Sequence, residues 1–119
     1  MAQILVLDDV IDAGIMIKKI LERKGHDVHV FDEEEGALDY AKGHPVELAI
    51  LDIKLKKLTG IEVLEELKKT MPDIKVIILT GYPTIETARQ AVDLGAVEYC
   101  IKPIDKDELE KKVAQVLKS

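Results

Sequence analysis

Five short apolar, β-rich segments recur along the chain, and no other feature restricts its fold as strongly: QILVLD (3–8), DVHVF (27–31), VELAILD (46–52), IKVIILT (74–80) and VEYCI (97–101). The stretches between them have helical spacing. Ala13, Ile17, Ile20 and Leu21 follow i, i+4, i+7, i+8, and Leu109, Val113, Val116 and Leu117 repeat it. Ile61, Leu64, Glu65 and Lys68 divide one helix between an apolar and a charged side. Strands that alternate with helices form a parallel sheet covered on both faces. Segments one, three and four are almost wholly apolar and suit the centre; two and five are more polar and suit the edges. The expected fold is α/β: a doubly wound five-stranded parallel sheet in the order 2-1-3-4-5, with helices on both faces.

Local punctuation agrees with these boundaries. Asp12 is a candidate N-cap for the first helix and Thr84, after Pro83, for the fourth. Asp105 with Glu108 resembles a capping box. Gly25 and Gly95 stand where C-caps belong. The acids at 32 to 35 favour the start of the second helix through its dipole.

A chain of 119 residues, 47% apolar, suits one domain with one core, here residues 1–119. Its formal net charge of −6 argues against gripping nucleic acid by its phosphates. No apolar run reaches the roughly 20 residues that span a bilayer. MAQILVLDDV is acidic where a signal peptide would stay apolar, so a cytoplasmic location is expected. A single cysteine, Cys100, excludes an internal disulfide and reads as a small core residue. His26, His29 and His44 lack ligand spacing and read as surface residues.

In an open parallel sheet, ligands bind beyond the carboxyl ends of the strands. The first strand ends in Asp8-Asp9, the third in Asp52 and the fourth in Thr80-Gly81, while Lys102-Pro103 follows the fifth. Three close carboxylates repel unless a cation intervenes. A hard divalent ion such as Mg²⁺ fits oxygen ligands of this kind. Pro103 biases Lys102 toward extended backbone, holding its ammonium at the edge. The Thr80 hydroxyl can donate to an anionic oxygen, though a β-branched residue that closes a turn would look the same. A carboxylate flanked by a metal, an ammonium and a hydroxyl suits phosphoryl transfer, with an aspartate as nucleophile.

These motifs together resemble the receiver domain of two-component response regulators. The likeness spans essentially the whole chain and rests on LVLDD, LDIKLKKLTGIEVL, VIILTGY and GAVEYCIKP; LTGYPTIETARQAVDLGA looks most like receivers of the nitrogen-regulator type. The resemblance implies Asp52 as phosphoacceptor. It implies Mg²⁺, for which Mn²⁺ can substitute, held by Asp9, Asp52 and the Lys54 backbone carbonyl, with Asp8 acting mainly through water. It makes Thr80 the switch hydroxyl, Lys102 the lysine that meets the phosphoryl group, and Tyr99 the switch aromatic. It also implies that the chain is no enzyme in the ordinary sense but a switch that assists its own phosphorylation and dephosphorylation. The donor would be a sensor histidine kinase or a histidine phosphotransfer protein. The surface of helix 4, strand 5 and helix 5 would report to a downstream protein or output domain, or form a dimer on phosphorylation.

The sequence also departs from the family pattern. Leu55-Lys56 stands where the family usually has Met-Pro, which predicts a freer loop. Val10 replaces a frequent third acid. Lys54 and Tyr82 occupy positions that tune how water reaches the phosphoryl group, and Tyr82 is expected to screen it. Lys54, Lys56 and Lys57 read as a solvated loop or as a docking contact for an acidic partner. The sequence leans toward a stand-alone regulator, with a receiver cut from a longer transcriptional regulator as the alternative. Two other classes stay open: a metal-dependent phosphatase-like hydrolase, and a flavodoxin-like cofactor binder, although the turn LDDVIDAG lacks a phosphate-binding glycine loop.

Overall fold

A computed structural model describes residues 1–118. Its elements alternate as expected: β1 (Gln3–Leu7), α1 (Ile11–Glu22), β2 (Asp27–Phe31), α2 (Glu34–Gly43), β3 (Leu48–Leu51), α3 (Gly60–Thr70), β4 (Lys75–Thr80), α4 (Ile85–Asp93), β5 (Glu98–Ile101) and α5 (Lys106–Lys118). All neighbouring strands pair in parallel, in the order β2-β1-β3-β4-β5.

The unbroken apolar run of each central strand has a simple cause. Successive side chains point to opposite faces, and both faces are dry. Leu5, Leu7, Ala49, Leu51, Val76 and Ile78 enter one core, shared with Ala37 and Ala41 of α2, Val63, Leu64 and Leu67 of α3, and Ala91 of α4. Ile4, Val6, Leu48, Ile50, Ile77 and Leu79 enter the other, with Ile17 and Leu21 of α1 and Leu109, Val113 and Val116 of α5. Each large side chain among them contributes about 1.5–3 kcal/mol by leaving water. The edge strands are only partly covered, as their polar residues required. Cys100 is buried in the second core.

Two boundaries differ from expectation. The third strand is shorter than 46–52, so Asp52 lies just beyond it, yet the Asp52 N–H still donates to the Leu7 carbonyl at 3.0 Å. The first helix begins before Asp12. Its N-cap is Val10, whose N–H donates to Asp8 Oδ1 at 2.9 Å, and Asp12 lies within the first turn. The Asp8 side chain has taken the turn that Asp12 was expected to organise.

The other caps follow the sequence. Thr84 accepts from the Thr87 N–H, and Asp105 Oδ1 accepts from the Glu108 N–H at 2.8 Å. Gly25 and Gly95 take φ of 88° and 96°, the left-handed region that glycine enters at least cost. His29 and His44 do not stand alone on the surface: they flank Tyr40, with ring centroids 4.8 and 4.0 Å away.

Candidate functional site

The sheet delivers its carboxylates to one edge. β1 and β3 are neighbours, so Asp8 and Asp52, each one residue past its strand, come side by side. Both are almost fully buried, at 2% and 4% exposure, and Asp9 is half-buried next to them. One oxygen from each of Asp8, Asp9 and Asp52 lies within 4.8 Å of the others.

Lys102 reaches this cluster from the far side. Its N–H donates to the Thr80 carbonyl at 2.8 Å, which fixes the backbone at the end of β5; the peptide to Pro103 is cis. Its ammonium donates to Asp8 Oδ2 at 2.5 Å and to Asp52 Oδ2 at 3.0 Å. Burial works against the lysine's charge, but the hydrogen bonds and charges of Asp8 and Asp52 outweigh it and raise its pKa above the ordinary value. One ammonium therefore faces three carboxylates. The all-oxygen donor set and the residual negative charge fit a hard divalent cation.

The other Asp52 oxygen is held by backbone. Oδ1 accepts from the Ile53 N–H at 2.7 Å and the Lys54 N–H at 3.4 Å. The loop folds back at Gly60, whose N–H donates to the Ile53 carbonyl at 2.8 Å. A Cβ on Gly60 would run into the Asp52 carbonyl oxygen, so this close return needs glycine. Lys54 and Thr59 pair across the loop in an isolated antiparallel bridge, and Thr59 with Glu62 forms a full capping box at the start of α3.

Thr80 ends β4 in full burial, and its Oγ accepts from the Tyr82 N–H at 3.0 Å. Tyr99, half-buried on β5, packs against the α2–α3–α4 core rather than α5, and its hydroxyl bonds Thr87 of α4 at 2.9 Å. Tyr82 is 58% exposed and, with Asp9, Val10, Asp52, Gly81 and Lys102, borders an open cleft of about 380 Å³. The Lys54 ammonium stands 4.6 Å from the Tyr82 ring centroid. The two positions flagged from sequence thus touch each other beside the cleft.

Of the remaining lysines of the loop, Lys56 is ion-paired, while Lys57 is exposed and tied by its backbone N–H. Lys56 pairs with Asp32 at 3.5 Å and Glu33 at 3.7 Å. Glu34 Oε2 accepts from the Lys57 and Leu58 N–H groups, both at 2.9 Å. The expectation of a freer loop is corrected: Glu34, the first residue of α2, holds its backbone, and Asp32 and Glu33 add exposed pairs to Lys56. Glu34 was legible only as a dipole-favoured acid, yet Glu34, Ala37 and Ala41 share the buried side of α2. That i, i+3, i+7 spacing was the available signal.

The profile of the response regulator receiver domain matches residues 4–114. The chain belongs to this family. Among curated proteins, this receiver domain is 38% identical over 108 residues to a putative NtrX-like response regulator of Rickettsia bellii, covering 89% of the chain and 23% of that protein. It spans about a quarter of the length of that protein and of the ZraR regulators it matches, and 55% and 58% of the ActR and RegA regulators. Among solved structures it is similar to a CheY-like receiver domain protein of Methanospirillum hungatei, with TM-score 0.96, 31% identity and coverage of 99% and 94% of the two chains. It is also similar to a response regulator of Burkholderia pseudomallei carrying a phosphorylated aspartic acid and a calcium ion, with TM-score 0.88, 31% identity and coverage of 98% and 66%. The receiver domain of two-component signalling thus accounts for the fold, the acidic edge and the nitrogen-regulator likeness. Among the described residues no helix is long and apolar enough to cross a membrane.

Proposed function

We propose that residues 1–119 form a single receiver domain in which Asp52 accepts a phosphoryl group from a phosphohistidine. The observation that carries this reading is the convergence of Asp8, Asp9 and Asp52 with the Lys102 ammonium at one sheet edge. A carboxylate oxygen of Asp52 attacks phosphorus, the P–O bond forms as the P–N bond breaks, and the departing imidazole takes its proton from solvent. Asp9, Asp52 and the Lys54 carbonyl would hold Mg²⁺ (or Mn²⁺), with Asp8 acting through water. Bound there, the ion would offset the charge of the transferring phosphoryl oxygens. Lys102, already at Asp52, supplies the second positive charge at that point.

The switch reading assigns Thr80 to the phosphoryl group once it is in place. Its Oγ accepts the Tyr82 N–H, so its own proton is available to donate toward an anionic oxygen. Tyr99 then exchanges its Thr87 partner for an inward position, and α4 with β5 and α5 is remodelled. Energetically this is a shift between two populations. The donor is a sensor histidine kinase or a histidine phosphotransfer protein, and the location is cytoplasmic. The receiver serves a longer regulator or a separate protein and binds no nucleic acid itself. The reporting face exposes Ile85 (80%), Val92 (67%) and Ile101 (57%), surface that a downstream domain or a second receiver would cover.

Incubation with Mg²⁺ and acetyl phosphate tests this reading. The expected result is a lasting mass gain of one phosphoryl group, lost in Asp52→Asn. Rapid turnover of phosphate esters would instead indicate a hydrolase, and a coloured bound cofactor a flavodoxin-like binder.

A further inference from the structure

The loop of residues 53–60 carries the Lys54 carbonyl, so whatever stiffens that loop also sets the metal site. Its base is closed by the Gly60–Ile53 hydrogen bond and the Lys54–Thr59 bridge. Its tip has no proline: Lys56 stands where the family pattern places one, and the ion pairs of Lys56 with Asp32 and Glu33 are solvent-exposed and therefore weak.

Glu34 is different. It is the first residue of α2, only 3% exposed, and a single oxygen accepts both the Lys57 and the Leu58 N–H. Burying a carboxylate is costly unless it is well bonded, and bonds from N–H groups to an anion are the strong kind. Burial alone would raise its pKa, but the backbone N–H groups of Leu58, Glu34 itself and Lys57, with the Lys57 charge, hold it below the ordinary glutamate value. The anion persists, and its grip starts at Leu58, adjacent to the Thr59 that pairs with Lys54.

We propose that Glu34 is a positioning residue of the phosphorylation site: by holding the Lys57 and Leu58 N–H groups it fixes the Lys54 carbonyl beside Asp52, in place of the loop proline. Glu34 touches neither metal nor phosphoryl group and acts only through the backbone. The inference rests on the reading of Asp9, Asp52 and Lys54 as the Mg²⁺ ligands, and the test separates the two.

Mg²⁺ affinity is followed by backbone amide shifts on titration of the full chain without phosphoryl donor. Asp9→Asn examines the metal reading itself and is expected to abolish saturable binding; if binding is unchanged, both the reading and the inference fall. Glu34→Ala is expected to weaken Mg²⁺ about 10-fold, the usual scale for groups that orient a ligand. Hydrogen exchange at the Leu58 amide should quicken in parallel. Val113→Ala, in the opposite core, serves as the stability control: it should lower the urea midpoint and leave Mg²⁺ affinity alone. The inference is overturned if Glu34→Ala binds Mg²⁺ within about twofold of the parent, or if Val113→Ala weakens binding equally. If Glu34→Ala does not fold, Glu34→Gln carries the test. It keeps an acceptor but loses the charge, so a loss of about threefold is expected, and no loss overturns the proposal.

Discussion

The loop after β3 and the helix after β4 flank the same acidic edge but are held to the sheet in opposite ways. α3, which closes the β3 loop, buries Gly60, Ile61, Val63, Leu64 and Leu67 and starts from a full capping box. Of the nine residues of α4, only Ala91 is buried, while Ile85 and Val92 are largely exposed. The loop is tied by backbone hydrogen bonds and by Glu34; α4 is joined to β5 by the Tyr99–Thr87 hydroxyl pair. Elements that must move come from the weakly packed part of a fold, and pre-organised chemistry belongs on the strongly packed part. On the proposed reading, the acceptor edge is the part built to stay still and the reporting face the part built to respond.

The sharpest way to break this contrast is to cut the packing of each helix. Leu64→Ala in α3 removes a fully buried side chain and should cost about 2–5 kcal/mol. Val92→Ala in α4 removes a side chain that is 67% exposed and should stay within about 0.5 kcal/mol. Urea denaturation of both variants checks this. Equal losses would mean that α4 is no looser than α3.

Acidification examines the tie on the rigid side. Glu34 has a lowered folded pKa against an ordinary value of 4.5, so its contribution to stability is fully present above that value. It fades as the pH drops below 4.5 and is gone once the pH falls through the lowered folded value. Glu34→Gln should therefore be less stable than the parent at neutral pH and approach it in acid. A constant gap between the two stability–pH curves would show that the charge of Glu34 plays no part.

The strand–helix alternation was legible because both sheet faces are dry, which leaves β1, β3 and β4 no polar alternation to confuse with a loop. The acidic edge was legible because an aspartate directly follows β1 and β3, and a parallel sheet brings such ends together. What escaped depends on side chains that cross between loops. Glu34 sits in an acidic run that looks solvated, and its two N–H partners lie 23 and 24 residues away. The start of α1 was misplaced because Asp8 serves both the carboxylate cluster and the Val10 N–H, a double duty that spacing does not reveal. Lys54 and Tyr82 were each noticed, but nothing in the sequence joined them.

On the responsive side, Tyr99→Phe removes one hydroxyl and keeps the Thr84–Thr87 cap. The expected cost is about 0.5–1.5 kcal/mol, the net worth of one hydrogen bond. The more telling readout is hydrogen exchange, which should accelerate through α4 and stay unchanged at Ile53 and Leu58. Uniform acceleration would mean that the two sides are coupled more tightly than their packing suggests.

The smallest expected change in stability comes from Lys54 and Tyr82. An exposed ammonium over a ring contributes about 0.5–1 kcal/mol, so losing it should barely shift the urea midpoint. Its kinetic consequence differs. The ring borders the cleft that contains Asp52, and Lys54, bridged to Thr59 in the rigid loop, holds that ring from the still side of the site. If the pair screens the phosphoryl group, the phosphorylated form is long-lived, and Tyr82→Ala should lose phosphate faster than the parent. Lys54→Ala should fall between them, because the ring remains but is no longer held. Time courses of phosphate loss after removal of the donor decide this. An unchanged or slower rate in Tyr82→Ala would place the barrier to water elsewhere in the cleft and leave the contact a surface feature of the still side alone.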